Sequence, residues 1–300
     1  MRILSIISIL VGLFMWAGLA YAEMTSTNYQ IQWDTIGQGG DDMSDSASYQ
    51  LRDTIGNSAV GSSDSTNYSS AAGYRQGVFD QILTFEVYGQ GTSQKDATAL
   101  TSTTITCDTS GISEGDFIAL VQDEGESQVS AVGRVTTIGA GTITVDDLQD
   151  GGVVPTIDGV NDYVYLLNTT SVDLNELDPA EFSTTIIGFD VSADLQNGYV
   201  IQVYEDGNLR DGSDDIDDVS DGAVSLGAEE YGARSSDTSL SGSLFDTEDS
   251  AFMSSYLDVA DESSTSFDSR NFLTLKASID ATTADGTYEH TLTFILSGNF

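Results

Sequence analysis

The sequence predicts an all-β chain, and three observations carry that prediction. Its acidity is aspartate far more than glutamate, 35 against 13, and aspartate competes for local backbone hydrogen bonds, so it favours turns and loops over helix interiors. Ser and Thr are abundant beside 13 Tyr and 30 Gly; Thr and Tyr suit a pleated surface, while Gly and Asp supply the reversals between strands. Short apolar alternations recur, punctuated by Gly and Asp about every 8 to 12 residues. Three β regions are expected after a leader: an N-terminal β-meander repeat over 23–80, a small β-barrel or sandwich over 81–170, and a C-terminal β-sandwich with long acidic loops over 171–300.

The leader is read first. Arg2 gives a short positive start, Ile3 to Trp16 an apolar run broken by Ser5, Ser8 and Gly12, and Ala20-Tyr21-Ala22 a small-x-small cleavage site. Residues 1–22 are therefore expected to be a signal peptide cleaved after Ala22, with secretion to the cell surface as the outcome. The competing reading is an uncleaved anchor, since the apolar stretch approaches the roughly 20 residues that span a bilayer. Cys107 is the single cysteine, so no intramolecular disulfide can form in the exported chain. In the alternation Ile105-Thr106-Cys107 it is expected to be a buried thiol without a positive neighbour to activate it.

Residues 23–80 hold a degenerate repeat. Ser26-Thr27-Asn28-Tyr29-Gln30-Ile31 is echoed by Ser46-Ala47-Ser48-Tyr49-Gln50-Leu51 and more weakly by Ser65-Thr66-Asn67-Tyr68, the tyrosines 20 and then 19 residues apart. That period suits a strand, a turn and a return strand per copy. Tyr and the residue two later share one face of the strand. A tyrosine row of this kind packs a small meander or, if exposed, stacks on sugar rings.

In 81–170, strands are expected over Ile82–Tyr88, Thr101–Cys107, Gly115–Val121, Val129–Ile138, Thr142–Val145 and Tyr163–Leu167, with no amphipathic helical run. In 171–300 a helical turn or two is expected at Val172–Leu177, then strands at Thr184–Val191, Gly198–Glu205, Phe272–Ala277 and Tyr288–Leu296. Between them the non-periodic stretch from Asp206 to about Phe267 reads as long decorated loops with one short helix near Ala251–Leu257.

Asn197-Gly198-Tyr199 entering a strand, Asp206-Gly207-Asn208-Leu209, Gly227-Ala228-Glu229-Glu230-Tyr231-Gly232 and the closing Gly286-Thr287-Tyr288-Glu289-His290-Thr291-Leu292-Thr293-Phe294 carry a resemblance. Over roughly the last 120 residues the chain resembles the β-sandwich modules of bacterial surface proteins, and its closing strand is similar to those of the WxL and spore-coat-U-like families. No Trp-x-Leu signature accompanies it. The resemblance implies attachment, adhesion or fibre building at the cell surface, without catalysis.

A net charge of −39 repels nucleic-acid phosphate and anionic lipid headgroups, which argues against nucleic acid as a partner. The densest acidic run, Asp206, Asn208, Asp211, Asp214, Asp215, Asp217, Asp218 and Asp221, is a candidate calcium site on ligand chemistry. An EF-hand register fails there: from Asp211, Ser213 and Asp215 fit, but Ile216 replaces the glycine and Gly222 the final Glu. The other readings are a solvated acidic loop and adaptation to salty surroundings. His290 is the single histidine, which leaves no His and Cys cluster for zinc or copper; it shares a strand face with Tyr288, Leu292 and Phe294 and is expected to pack beside a core. Gly111-Ile112-Ser113-Glu114-Gly115 spells a nucleophile elbow, yet a strand is expected after it where the elbow requires a helix.

These readings combine into an exported, non-catalytic structural or adhesive protein, a fibre or surface-layer subunit whose partners are other copies of itself, surface proteins or glycans. A glycan-binding module is the first alternative. The second is an outer-membrane β-barrel, which the terminal alternation Leu292, Phe294, Leu296, Gly298, Phe300 suggests.

Overall fold

The computed structural model describes residues 82–125 and 127–299, together with the backbone of six short strands between residues 24 and 72. The chain divides into two compact units, Met1–Asp80 and Gln81–Phe300. Residues 1–22 and the tyrosines of the repeat lie outside the described residues.

In the first unit, β1 (Met24–Thr25) pairs with β2 (Gln30–Ile31), β3 (Ser44–Asp45) with β4 (Gln50–Leu51), and β5 (Gly61–Asp64) with β6 (Ser69–Ala72). The innermost pairs are Thr25 with Gln30, Asp45 with Gln50, and Asp64 with Ser69. They recur at the spacing of the tyrosines, so each copy of the repeat holds one antiparallel hairpin. Among the described residues no ladder joins one hairpin to the next.

The second unit opens with β7 (Leu83–Gln90) and continues into β8 (Lys95–Thr101), β9 (Thr104–Cys107), β10 (Phe117–Gln122), β11 (Val129–Gly139), β12 (Thr142–Val145) and β13 (Tyr163–Thr169). The six strands from β8 to β13 form a closed barrel in the order β10, β11, β12, β9, β8, β13, with β13 pairing back onto β10 from Ile118 with Leu166 to Val121 with Tyr163. Its interior is packed with Ile105, Ile118, Leu120, Val135, Ile143 and Val164. Cys107 belongs to this core, as its alternation predicts, and is 6% exposed. Phe117, Ala119 and Val121 point the other way and pack with Ile186 and Phe272 of the neighbouring sandwich. Burial on both faces explains why β10 reads as an unbroken apolar run instead of an alternation.

The sandwich has two sheets. One contains β7, β14 (Ser183–Ala193), β20 (Ser266–Ser278) and β18 (Glu230–Ser235) in that order; the other contains β19 (Leu257–Glu262), β15 (Tyr199–Glu205) and β21 (Leu292–Gly298). Both sheets turn inward a core that includes Phe189, Tyr199, Ile201, Tyr231, Phe245 and Phe252. β7 binds both bodies: its residues 83 to 89 pair with β14, and Gly89 and Gln90 also pair with β13 of the barrel. A buried ionic network adds a second tie. Arg270 of β20 reaches Asp146, just beyond β12, with nitrogens at 2.7 and 2.8 Å, and Arg134 of β11 meets Asp190 of β14 at 2.5 Å.

Both ends of this unit meet at one turn. The Asp194 amide donates to the Ile82 carbonyl at 2.8 Å, and the Asn299 amide donates to the Gly198 carbonyl at 2.9 Å. Gly198 closes that turn at φ 69°, and a Cβ there would overlap the Glu262 carbonyl.

Two expected elements are corrected. No helix forms at Val172–Leu177 or Ala251–Leu257. In the first, Asp173 accepts the Asn175 amide in a turn and the Leu174 carbonyl accepts the Ser183 hydroxyl, so the groups a helix would use are engaged elsewhere. In the second, the Met253 carbonyl accepts the Glu205 amide, and Phe252 is anchored in the core at 1% exposure. The stretch from Asp206 to Phe267 is also less irregular than expected. It holds β16 (Leu209–Asp211), β17 (Asp214–Ile216), β18 and β19. Among the described residues no helix is long and apolar enough to cross a membrane.

Candidate functional site

The second sheet of the sandwich ends at β21. This strand hydrogen-bonds β15 on one side, from Tyr199 with Gly298 to Glu205 with Leu292, and has no strand on its other side among the described residues. In the facing sheet, residues 83 to 88 of β7 also have no strand on their outer edge among the described residues, because β13 meets β7 only at Gly89 and Gln90. The side chains that β21 and β7 send inward, Leu292, Phe294 and Leu296 against Phe85 and Val87, are therefore only partly buried against the core. Between these two edges lies a cleft of about 1020 Å³, floored by Val87, Ile187, Leu275 and Phe294 and flanked by the 169–177 and 283–291 segments. Phe294 packs at a steep tilt against Phe189, ring centres 5.1 Å apart, which fixes the floor from below.

At one end of the cleft sit His290 and Tyr231. The His290 Nε2 lies 3.1 Å from the Tyr231 hydroxyl, and its Nδ1 is 3.2 Å from the Gly207 carbonyl and 3.4 Å from Glu205 Oε2. Behind them Glu205 Oε2 and Asp218 Oδ1 are both inaccessible to solvent and have no hydrogen-bond partner among the described residues. Burial, reinforced by the Glu205 carboxylate and opposed by His290, pushes the Asp218 carboxyl up to about 7. Burial also raises the Tyr231 hydroxyl well above its ordinary value. His290 packs beside the core, edge-on to Tyr231 at 5.1 Å and to Phe252 at 6.2 Å, but from the segment before β21 and not on a strand face, since the strand expected from Tyr288 begins only at Leu292. Asp218 was named in sequence only as one member of the acidic run, and Glu205 was not singled out, though a signal existed: it continues the inward alternation Tyr199, Ile201, Val203.

The acidic run is distributed across one hairpin and its flanks. Asp206 is ion-paired with Arg210 at 3.0 Å and accepts the Thr291 amide; Asn208 donates to Asp215 at 2.9 Å; Asp211 accepts the Thr287 amide at 3.0 Å. Asp214 and Asp217 are exposed, whereas Asp218 turns inward. Among the described residues no group of three or more His, Cys, Asp or Glu is gathered to hold a metal ion. Ser113 lies in the turn before β10, where its amide donates to Asp116 and a strand follows. Comparison of the chain with protein-family models, with curated proteins and with solved structures finds no match.

Proposed function

We propose that this protein is an exported structural or adhesive component of a bacterial surface, and that it assembles by accepting a β-strand from another copy along its open sandwich edge. One observation carries the reading: among the described residues, β7 and β21 both lack a strand on their outer edges, and Val87, Leu292 and Phe294 of these strands line a common cleft with an apolar floor. An unpaired edge is a template for another strand, and an extended segment laid there gains main-chain hydrogen bonds while its alternate side chains fill the apolar floor. The signal peptide and the resemblance to surface sandwiches agree with this role. An outer-membrane barrel has less support, since the barrel is six-stranded with a packed apolar interior, and the Leu292–Gly298 alternation faces a sandwich core.

The test is assembly of the mature chain, followed by sedimentation and electron microscopy, against Ile295→Lys. Ile295 lies on β21 opposite Gln202, on the strand face away from the sandwich core, so a lysine there blunts the edge without entering the core. Ordered multimers that Ile295→Lys abolishes support the reading. A chain that stays monomeric at millimolar concentration and high salt overturns it.

A further inference from the structure

A second cleft, of about 400 Å³, lies between the β7–β8 and β10–β11 connections and the 173–184 segment that leads into β14. That volume is at the small end of the roughly 300 to 1,000 Å³ typical of small-molecule sites. Its barrel wall is held by groups that bond one another. The Tyr165 hydroxyl donates to Glu124 at 2.8 Å, the Glu124 amide donates to the Asn161 carbonyl at 3.2 Å, and the Asn161 side-chain amide returns to the Glu124 carbonyl at 2.9 Å. On and beside the rim, Asp123, Asn161 and Asn175 turn the backbone through left-handed conformations at φ 49°, 58° and 58°, which Asp and Asn tolerate.

Gln90, at the end of β7, lines this cleft and is only 9% exposed. The Ile186 amide donates to its Oε1 at 3.1 Å, which fixes the orientation of the side-chain amide. Its Nε2 therefore keeps two hydrogens with no acceptor among the described residues. A donor so buried calls for an acceptor that enters from the cleft. Around it stand five carboxylates, Glu124 from the barrel and Asp173, Glu176, Asp178 and Glu181 from the facing segment, and no Lys, Arg or His is among the lining residues. None of the five is ion-paired among the described residues. Lys276 packs over the Phe182 ring at 4.0 Å but is paired with Asp249 at 3.8 Å. The negative charge is spread over two walls, and among the described residues no three acids are gathered to grip a metal ion.

A ligand that fits both features carries positive charge for the carboxylates and an acceptor oxygen for Gln90. A metal ion or an aliphatic polyamine offers no acceptor, and a neutral sugar offers no charge. A lysine side chain would lay its four-carbon stem on apolar surface. Here the walls are mainly amides, hydroxyls and carboxylates, Gln94, Asn161, Asn175, Ser183 and Thr184 among them. They suit a ligand with a polar group on nearly every carbon. We propose that this cleft binds an amino sugar with a free ammonium group, its ammonium among the carboxylates and a ring hydroxyl accepting from Gln90 Nε2. Phe182 supplies an aromatic wall for the ring. Although Asp173, Asn175 and Glu176 line both clefts, the site is independent of whether a strand pairs with β7 and β21.

Calorimetric titration of the mature chain with four probes tests the site: glucosamine trimer with free amines, its N-acetylated counterpart, spermidine and trilysine. Salt at about 0.15 M screens the general attraction of so acidic a chain for cations. The free-amine trimer should bind on the order of 10-fold more tightly than each of the other three, since only it offers both the charge and the acceptors. Glu124→Gln, which keeps an oxygen for the Tyr165 hydroxyl, should weaken it by about 10- to 100-fold. Asp217→Asn removes an exposed carboxylate elsewhere and should leave it unchanged. Should Glu124→Gln not fold, the exposed Glu181→Gln takes its place, with an expected loss of about 2- to 5-fold. Four results overturn the proposal: no binding of the free-amine trimer at millimolar concentration, equal affinity for spermidine or the N-acetylated trimer, tighter binding of trilysine, or the same loss in Asp217→Asn as in the cleft variant.

Discussion

Replacing Arg270 by alanine tests how firmly the barrel is joined to the sandwich. The side chain is 4% exposed, grips both oxygens of Asp146 and passes 3.6 Å from Asp190. Breaking one side of a buried ion pair costs about 3 to 5 kcal/mol, because a charge is left without its partner. Two features place this site at the lower end. Asp146 is 36% exposed and can rehydrate, and Asp190 keeps Arg134 at 2.5 Å. The expected loss is about 3 kcal/mol by urea unfolding, or roughly 6 to 12 °C in Tm for a body of this size. Arg270→Met, which keeps an apolar stem in the same space, should lose less. A pH series adds a signature. Burial raises the Asp146 carboxyl, but the Arg270 guanidinium and the amides of Asp147 and Arg134 outweigh it and hold it below its ordinary 3.8. A depressed carboxyl contributes stability above 3.8 and loses it as pH falls through the native value, so wild type and Arg270→Ala should converge below about pH 4. A loss under about 1 kcal/mol, or a gap that does not narrow in acid, would refute the assigned role of the network.

Two further outcomes are expected. Gly198→Ala should destabilise by more than about 3 kcal/mol in the same urea assay, because it combines a positive-φ strain with a Cβ that would overlap the Glu262 carbonyl. The Cys107 thiol, raised by burial in the barrel, should resist an aromatic disulfide reagent in the native chain and react fully in denaturant; rapid native labelling would show that the barrel opens.

The regular parts of this fold were legible because their side chains alternate. Tyr199, Ile201 and Val203 announce β15, and Thr142–Val145 announces β12. β18 was hidden because its inward alternation, Tyr231, Ala233 and Ser235, is short and weakly apolar between Glu230, Gly232 and Arg234; pairing with β20 over six residues holds it in place. The helix expected at Ala251–Leu257 fails for the converse reason, since one buried aromatic and one carbonyl bond to β15 outweigh local propensity. Of the candidate site, the placement of His290 beside a core was readable from spacing alone. The open edge was not, because only the three-dimensional pairing shows which strands lack a neighbour, and Asp218 was indistinguishable in sequence from the exposed aspartates around it.

The meeting of both chain ends at the 194–198 turn has a mechanical consequence. A tether pulling on residue 82 against residue 299 acts across one short turn and not along the length of the body, since each end is hydrogen-bonded to that turn. The load then falls first on those two hydrogen bonds and next on the end pairs Leu83 with Ala193 and Gly298 with Tyr199, so the edge strands open one pair at a time, as in unzipping, instead of shearing along their whole length.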